Sequence, residues 1–166
     1  MTTELMYGYT AYFDRNPRKI EGYFTIQDTD GNKIFDRLPA ASGQRGYTNT
    51  DWVRGKSPIP FGKYRLWLQP IGEGTEPGRS GVGEFYNIST GDDKRLIFET
   101  LTDGRSVYPK RVRQDIGLHA DNSFPGSAGC IVLSIDSHPR REEVQRLWSF
   151  LKEEGKYEKY MRLIVL

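Results

Sequence analysis

The chain has 166 residues, of which 36% are hydrophobic and 28% charged, which suffices for one domain with a real core (1–166) and not for two. Its 24 Lys and Arg against 22 Asp and Glu leave a formal net charge of +2, scattered along the chain, so the balance gives no argument for a nucleic-acid partner. A single cysteine excludes an intramolecular disulfide framework, so packing and hydrogen bonding must carry stability.

The opening "MTTELMYGYTAYFDRN" lacks the basic segment and unbroken apolar stretch of a secretory signal, and no run reaches the length of a membrane helix. The expectation is a soluble chain with no membrane span. If it acts outside the cytoplasm, it has been trimmed or travels by a route that needs no signal.

Short segments rich in aromatic and β-branched residues then follow in order: "YGYTAYF", "EGYFTIQD", "KIFDRL", "KYRLWLQP", "GEFYNIST", "RLIFET", "IGLH", "CIVL" and "YMRLIVL". They predict a mainly β fold, a sandwich or partly closed barrel. Asp30-Gly31 suits a tight hairpin turn, and "STGDDK" predicts a second hairpin of the same kind. Near the end of the chain Val144, Leu147, Trp148 and Leu151 recur at helical spacing, with Pro139 at the start and Gly155 beyond the end. They predict one principal helix over about 139–154 whose apolar stripe packs on the sheet. The stretches "ASGQRGYTNTDWVRGKSPIP" and "PIGEGTEPGRSGVG" read as long loops, the kind that border binding grooves and act as lids.

The segment "IGLHADNSFPGSAGCIVLSID" holds the only cysteine and one of the two histidines. Cysteine attacks as a thiolate, and a histidine within reach shares or removes its proton. "GSAGC" precedes the apolar "IVL", which puts Cys130 at the entrance of a strand, presented by a glycine-containing turn whose N–H groups at Gly129 and Cys130 suit an oxyanion hole. His119 ends the strand "IGL", and two such strand ends side by side would bring base and thiol together. Ser127 is a candidate for a hydrogen bond to the thiolate. Asp121 and the Ala120 carbonyl are rival candidates for orienting His119.

"IGLH" followed by "GSAGCIVL" resembles the active-site signature of the L,D-transpeptidase (YkuD-type) family, a histidine ahead of a Ser/Thr-x-Gly-Cys motif. "SPIPFGKYRLW" after "ASGQRG" is similar to the family's upstream Pro-x-Gly-x-aromatic strand, so the resemblance runs from about 40 to 133. Ala128 replaces the usual second histidine, Val132 the usual Asn or Arg, and the His-to-Cys interval is short. In these respects the chain looks more like the branch found among bacterial effectors delivered into rival cells.

The resemblance implies a cysteine enzyme without metal or other cofactor. Cys130 attacks the L-centre carbonyl of a diamino acid in a peptidoglycan stem peptide, a terminal D-amino acid leaves, and an amine, a D-amino acid or water resolves the thioester. The implied setting is the periplasm or cell wall, with an immunity protein as partner if the chain is an effector. Stem peptides carry carboxylates, for which Arg113, then Arg111, are the candidate partners, and Tyr108 a candidate lining of the donor groove.

Three other readings compete. No pair of ligands with zinc-site spacing exists, which argues against a zinc hydrolase. "GSAG" runs into a strand without a following Lys-Ser/Thr, which argues against a phosphate loop. The serious alternative is a catalytically inactive wall-binding, phage or effector structural module, with Trp52, Trp67 and the tyrosines binding sugar or peptide.

Overall fold

The computed structural model describes residues 8–15, 20–44, 57–70, 84–98, 112–120, 129–133 and 141–166. Ten strands and one helix lie among them: β1 (Tyr9–Arg15), β2 (Glu21–Asp28), β3 (Lys33–Ser42), β4 (Gly62–Trp67), β5 (Tyr86–Ser89), β6 (Leu96–Phe98), β7 (Val112–Gln114), β8 (Gly117–Ala120), β9 (Ile131–Leu133), α1 (Arg141–Glu154) and β10 (Tyr160–Val165). Eight strands close a barrel in the order β1-β10-β4-β5-β8-β9-β3-β2, and β6 and β7 form a separate ribbon. The fold is thus mainly β with one principal helix, as the aromatic-rich short runs predict. No helix among the described residues is long and apolar enough to cross a membrane.

Alternation builds the interior. Ala11 and Phe13 of β1, Phe24 and Ile26 of β2, Leu66 of β4, and Leu163 and Val165 of β10 all face a common core. The β2–β3 hairpin turns where expected: Gly31 takes φ +83°, and the Asp28 carboxylate accepts the N–H groups of Asp30 and Asn32, both at 2.9 Å.

Two expectations differ from the structure. Ala41 and Ser42, read as the start of a loop, extend β3, because β9 supplies a partner through Ala41–Val132 and Ser42–Ile131. The hairpin expected at "STGDDK" turns the chain, but β6 pairs with β7 instead of β5, because β4 and β8 already occupy both edges of β5.

The helix closes one end of the barrel. Val144, Leu147 and Leu151 are fully buried, Trp148 stacks on Tyr86 at 5.8 Å, and Phe150 meets Tyr9 and Phe35 edge-on at 5.0 and 5.5 Å. Tyr9, Phe35 and Tyr86 lie at or near the starts of β1, β3 and β5, which the registers place at the same end. At the opposite end lie the ends of β1, β3 and β10 and the starts of β4, β8 and β9. The segment 57–61 packs there: Ile59 N–H donates to Ser42 Oγ at 2.8 Å, and Pro58 fills the space beside Gly43, whose φ is +89°. Most of the two long loops, 45–56 and 71–83, lies outside the described residues.

Candidate functional site

β8 and β9 are parallel neighbours, with Leu118 opposite Ile131, His119 opposite Val132 and Ala120 opposite Leu133. Leu118 and Ile131 lie on one face of this strand pair and His119 and Val132 on the other, and all four are buried. Continuing the register back one residue sets Cys130 beside Gly117, on the face that His119 shares. The histidine and the cysteine therefore stand on one face of adjacent strands, offset along the strand direction.

The thiol sits at the start of β9. Gly117 N–H donates to Cys130 Sγ at 3.4 Å, and the sulfur lies 3.9 Å from the Asp115 carbonyl. An N–H aimed at sulfur stabilises negative charge there. Cys130 is buried, at 7% exposure. Gly129 has φ +112°, a conformation suited to glycine, and its carbonyl accepts from the Ser42 hydroxyl at 2.9 Å. Ser42 thus ties the turn before the cysteine to the 57–61 segment, accepting from Ile59 N–H as it donates to Gly129.

His119 is buried, with Nδ1 3.0 Å from the Ala120 carbonyl. A carbonyl only accepts, so Nδ1 carries the proton and, in the neutral ring, Nε2 is the basic nitrogen. The ring stacks on Phe85 at 5.5 Å and 23°. Phe85 also covers Gly117, where a Cβ would lie 2.5 Å from two of its ring carbons. Across β5, Asn87 stands opposite Gly117; it is 1% exposed, and its Oδ1 has no hydrogen-bond partner among the described residues. The Asp115 bend that faces the thiol has φ +58° and is held by Arg95, whose Nε and Nη2 donate to its carboxylate at 2.9 and 3.2 Å. Those bonds keep the Asp115 carboxyl below its ordinary range.

The structure brings Arg113 to the same neighbourhood. Its Nη1 donates to the Ser57 and Pro58 carbonyls, both at 2.8 Å, and lies 3.2 Å from where a Cβ on Gly129 would stand. Arg113 thereby holds the 57–61 segment against the cysteine turn, a task the sequence did not announce. Ser127, Asp121, Arg111 and Tyr108 lie outside the described residues, as do Ala128 and Trp52. Of the two candidates for orienting His119, the structure thus describes the Ala120 carbonyl. Among the described residues, no group of three or more His, Cys, Asp and Glu is arranged to hold a metal ion.

Sequence reasoning passed over Ser42, Asn87 and Gly117. None carries a motif; their roles arise from strand pairing that brings distant segments into one row. Trp67, a candidate surface for sugar or peptide, is only 6% exposed. Tyr160 packs on it at 5.2 Å, Lys94 lies 5.1 Å from its ring, and its Nε1 donates to Ser89 at 2.8 Å. No family model matches the chain, and no curated protein matches it.

Proposed function

We propose that the chain is a peptidoglycan-modifying cysteine enzyme acting on stem peptides at an L-centre before a terminal D-amino acid, with the chemistry of an L,D-transpeptidase, an exchange enzyme or an L,D-carboxypeptidase. The carrying observation is the pairing of β8 with β9, which sets His119 and Cys130 on one face with a backbone N–H on the sulfur and a carbonyl on Nδ1. The motif "IGLH…GSAGCIVL" supports the substrate class.

In this reading His119 Nε2 takes the thiol proton, and Cys130 Sγ forms a bond to the carbonyl carbon of the diamino acid. The tetrahedral oxyanion is met by N–H groups of the Gly129–Cys130 turn. Collapse breaks the C–N bond, and the departing amine of the D-residue takes the proton from His119. An amine or water then attacks the thioester, loses its proton to His119 and releases the thiol. The working site is the periplasm or wall, and an immunity protein is the expected partner if the chain enters rival cells. The buried ring of Trp67 removes one of the aromatic surfaces that a binding module would use.

Tetrapeptide muropeptides incubated with the protein should lose their terminal D-residue, exchange it for an added D-amino acid, or form dimers, read by mass spectrometry. Unchanged muropeptides with fully folded protein would contradict the proposal and leave the binding-module reading.

A further inference from the structure

The inward positions of β1 are taken by Ala11, Phe13 and Arg15. The third is a cation placed inside a barrel: Arg15 is 2% exposed, and its Nε, Nη1 and Nη2 have no hydrogen-bond partner among the described residues. Its guanidinium carbon lies 4.0 Å from the centroid of the Phe61 ring, and Phe61 itself is 43% exposed. Burial pushes Arg15 down to about 10, with Tyr64 opposing the shift and the positive charge of Arg113 adding to it. Arg15 is therefore still charged at neutral pH. A buried, unpaired cation is costly, and an apolar side chain of similar length would fill the position more cheaply.

The position explains the cost. β1 ends at Arg15 on the same end of the barrel at which β9 begins. Arg113 reaches the 57–61 segment, which carries Phe61, and touches the Gly129 position next to Cys130. Two guanidinium groups thus share the end of the barrel that presents the thiol, and one of them has every donor unspent.

We propose that Arg15, with Arg113 beside it, binds the terminal carboxylate of the peptide substrate, and that Phe61 swings aside to admit it. A planar guanidinium matches a carboxylate with paired N–H donors, and a buried cation at a barrel end is reached by a chain terminus more readily than by mid-chain groups. The identity of the ligand rests on the proposed function; the anion-binding role of Arg15 rests on the geometry alone.

Calorimetric titration of the Cys130→Ala protein with acetyl-L-lysyl-D-alanine and with its C-terminal amide tests this without turnover. The acid should bind saturably and the amide about tenfold more weakly or worse, since it forfeits a charge-assisted pair. Arg15→Met should abolish the preference and, free of ligand, melt several degrees higher, because it removes an unpaired buried charge. Arg15→Lys, which keeps charge but not the fork, should retain only part of the preference, and it serves as the readout if the Met variant does not fold. Equal binding of acid and amide, no binding of either, a preference that survives Arg15→Met, or a lower melting temperature for the folded Met variant would each overturn the proposal. Acid preference without muropeptide turnover by the wild type would sink the enzyme reading and leave this site standing. Turnover that ignores Arg15 would do the reverse.

Discussion

Cys130→Ala should reduce turnover of tetrapeptide muropeptides by at least about a thousandfold, His119→Ala should come close, and the double variant should be little worse than either. The reason is that each residue's contribution exists only with the other in place: the thiol without a base is mostly protonated at neutral pH, and the base without sulfur has no nucleophile to activate. His119 and Cys130 share one face of β8 and β9, and both substitutions fall on buried residues. Both are truncations: His119→Ala leaves the Phe85 ring without its stacking partner, and Cys130→Ala leaves Gly117 N–H without its acceptor. Circular dichroism and thermal melts of the variants therefore belong beside the rates. Effects that multiplied in the double variant would mean that the two residues act independently, which the mechanism does not allow.

Gly117→Ala should be strongly damaging at the site, costing roughly 2–3 kcal/mol of stability as an overpacking change. An added Cβ would stand 2.5 Å from two Phe85 ring carbons and 2.6 Å from the Tyr86 carbonyl oxygen. The ring is the far end of a side chain, whereas the carbonyl belongs to the strand that pairs with β8, so the β5–β8 seam must open. The same movement displaces the N–H that faces Cys130 Sγ and the ring that stacks on His119. Loss of one charge-assisted hydrogen bond, at roughly 1.5–3 kcal/mol, corresponds to about a ten- to hundredfold fall in rate. Gly91→Ala is the control, because a Cβ there meets nothing within 4 Å. Urea denaturation should separate the two clearly. Equal midpoints would mean that the close packing at Gly117 does not constrain the site.

The strands that were legible from sequence are those whose own residues alternate or run apolar, such as β2, β4 and β10. The stripe of Val144, Leu147, Trp148 and Leu151 likewise announced the helix, which the structure describes from Arg141 to Glu154. What stayed hidden depends on partners. "VRQ" in β7 has no apolar pattern and is a strand only because β6 lies beside it. Closure of the barrel by the parallel pairing of β1 with β10 joins segments from the two ends of the sequence, and no local signal encodes that.

The site divides in the same way. His119 and Cys130 stood out because a histidine and a lone cysteine flank a glycine-rich turn between apolar runs. Ser42 and Asn87 look like ordinary polar residues until pairing buries them next to that turn. Arg15 was hidden by "FDRN", which reads as a polar strand end; only closure of the barrel turns its side chain into an interior cation.

The central claim is that Cys130 becomes acylated by a stem peptide. The direct measurement is intact-protein mass spectrometry after rapid acid quench of the enzyme with tetrapeptide, followed by mapping of the modified segment. The account predicts an added mass equal to the tetrapeptide minus the free D-amino acid that leaves, that is, the tripeptide less one water, carried on the segment that contains Cys130, removed by hydroxylamine and absent from Cys130→Ala. An adduct on any other residue, or turnover that persists in Cys130→Ala, would contradict it.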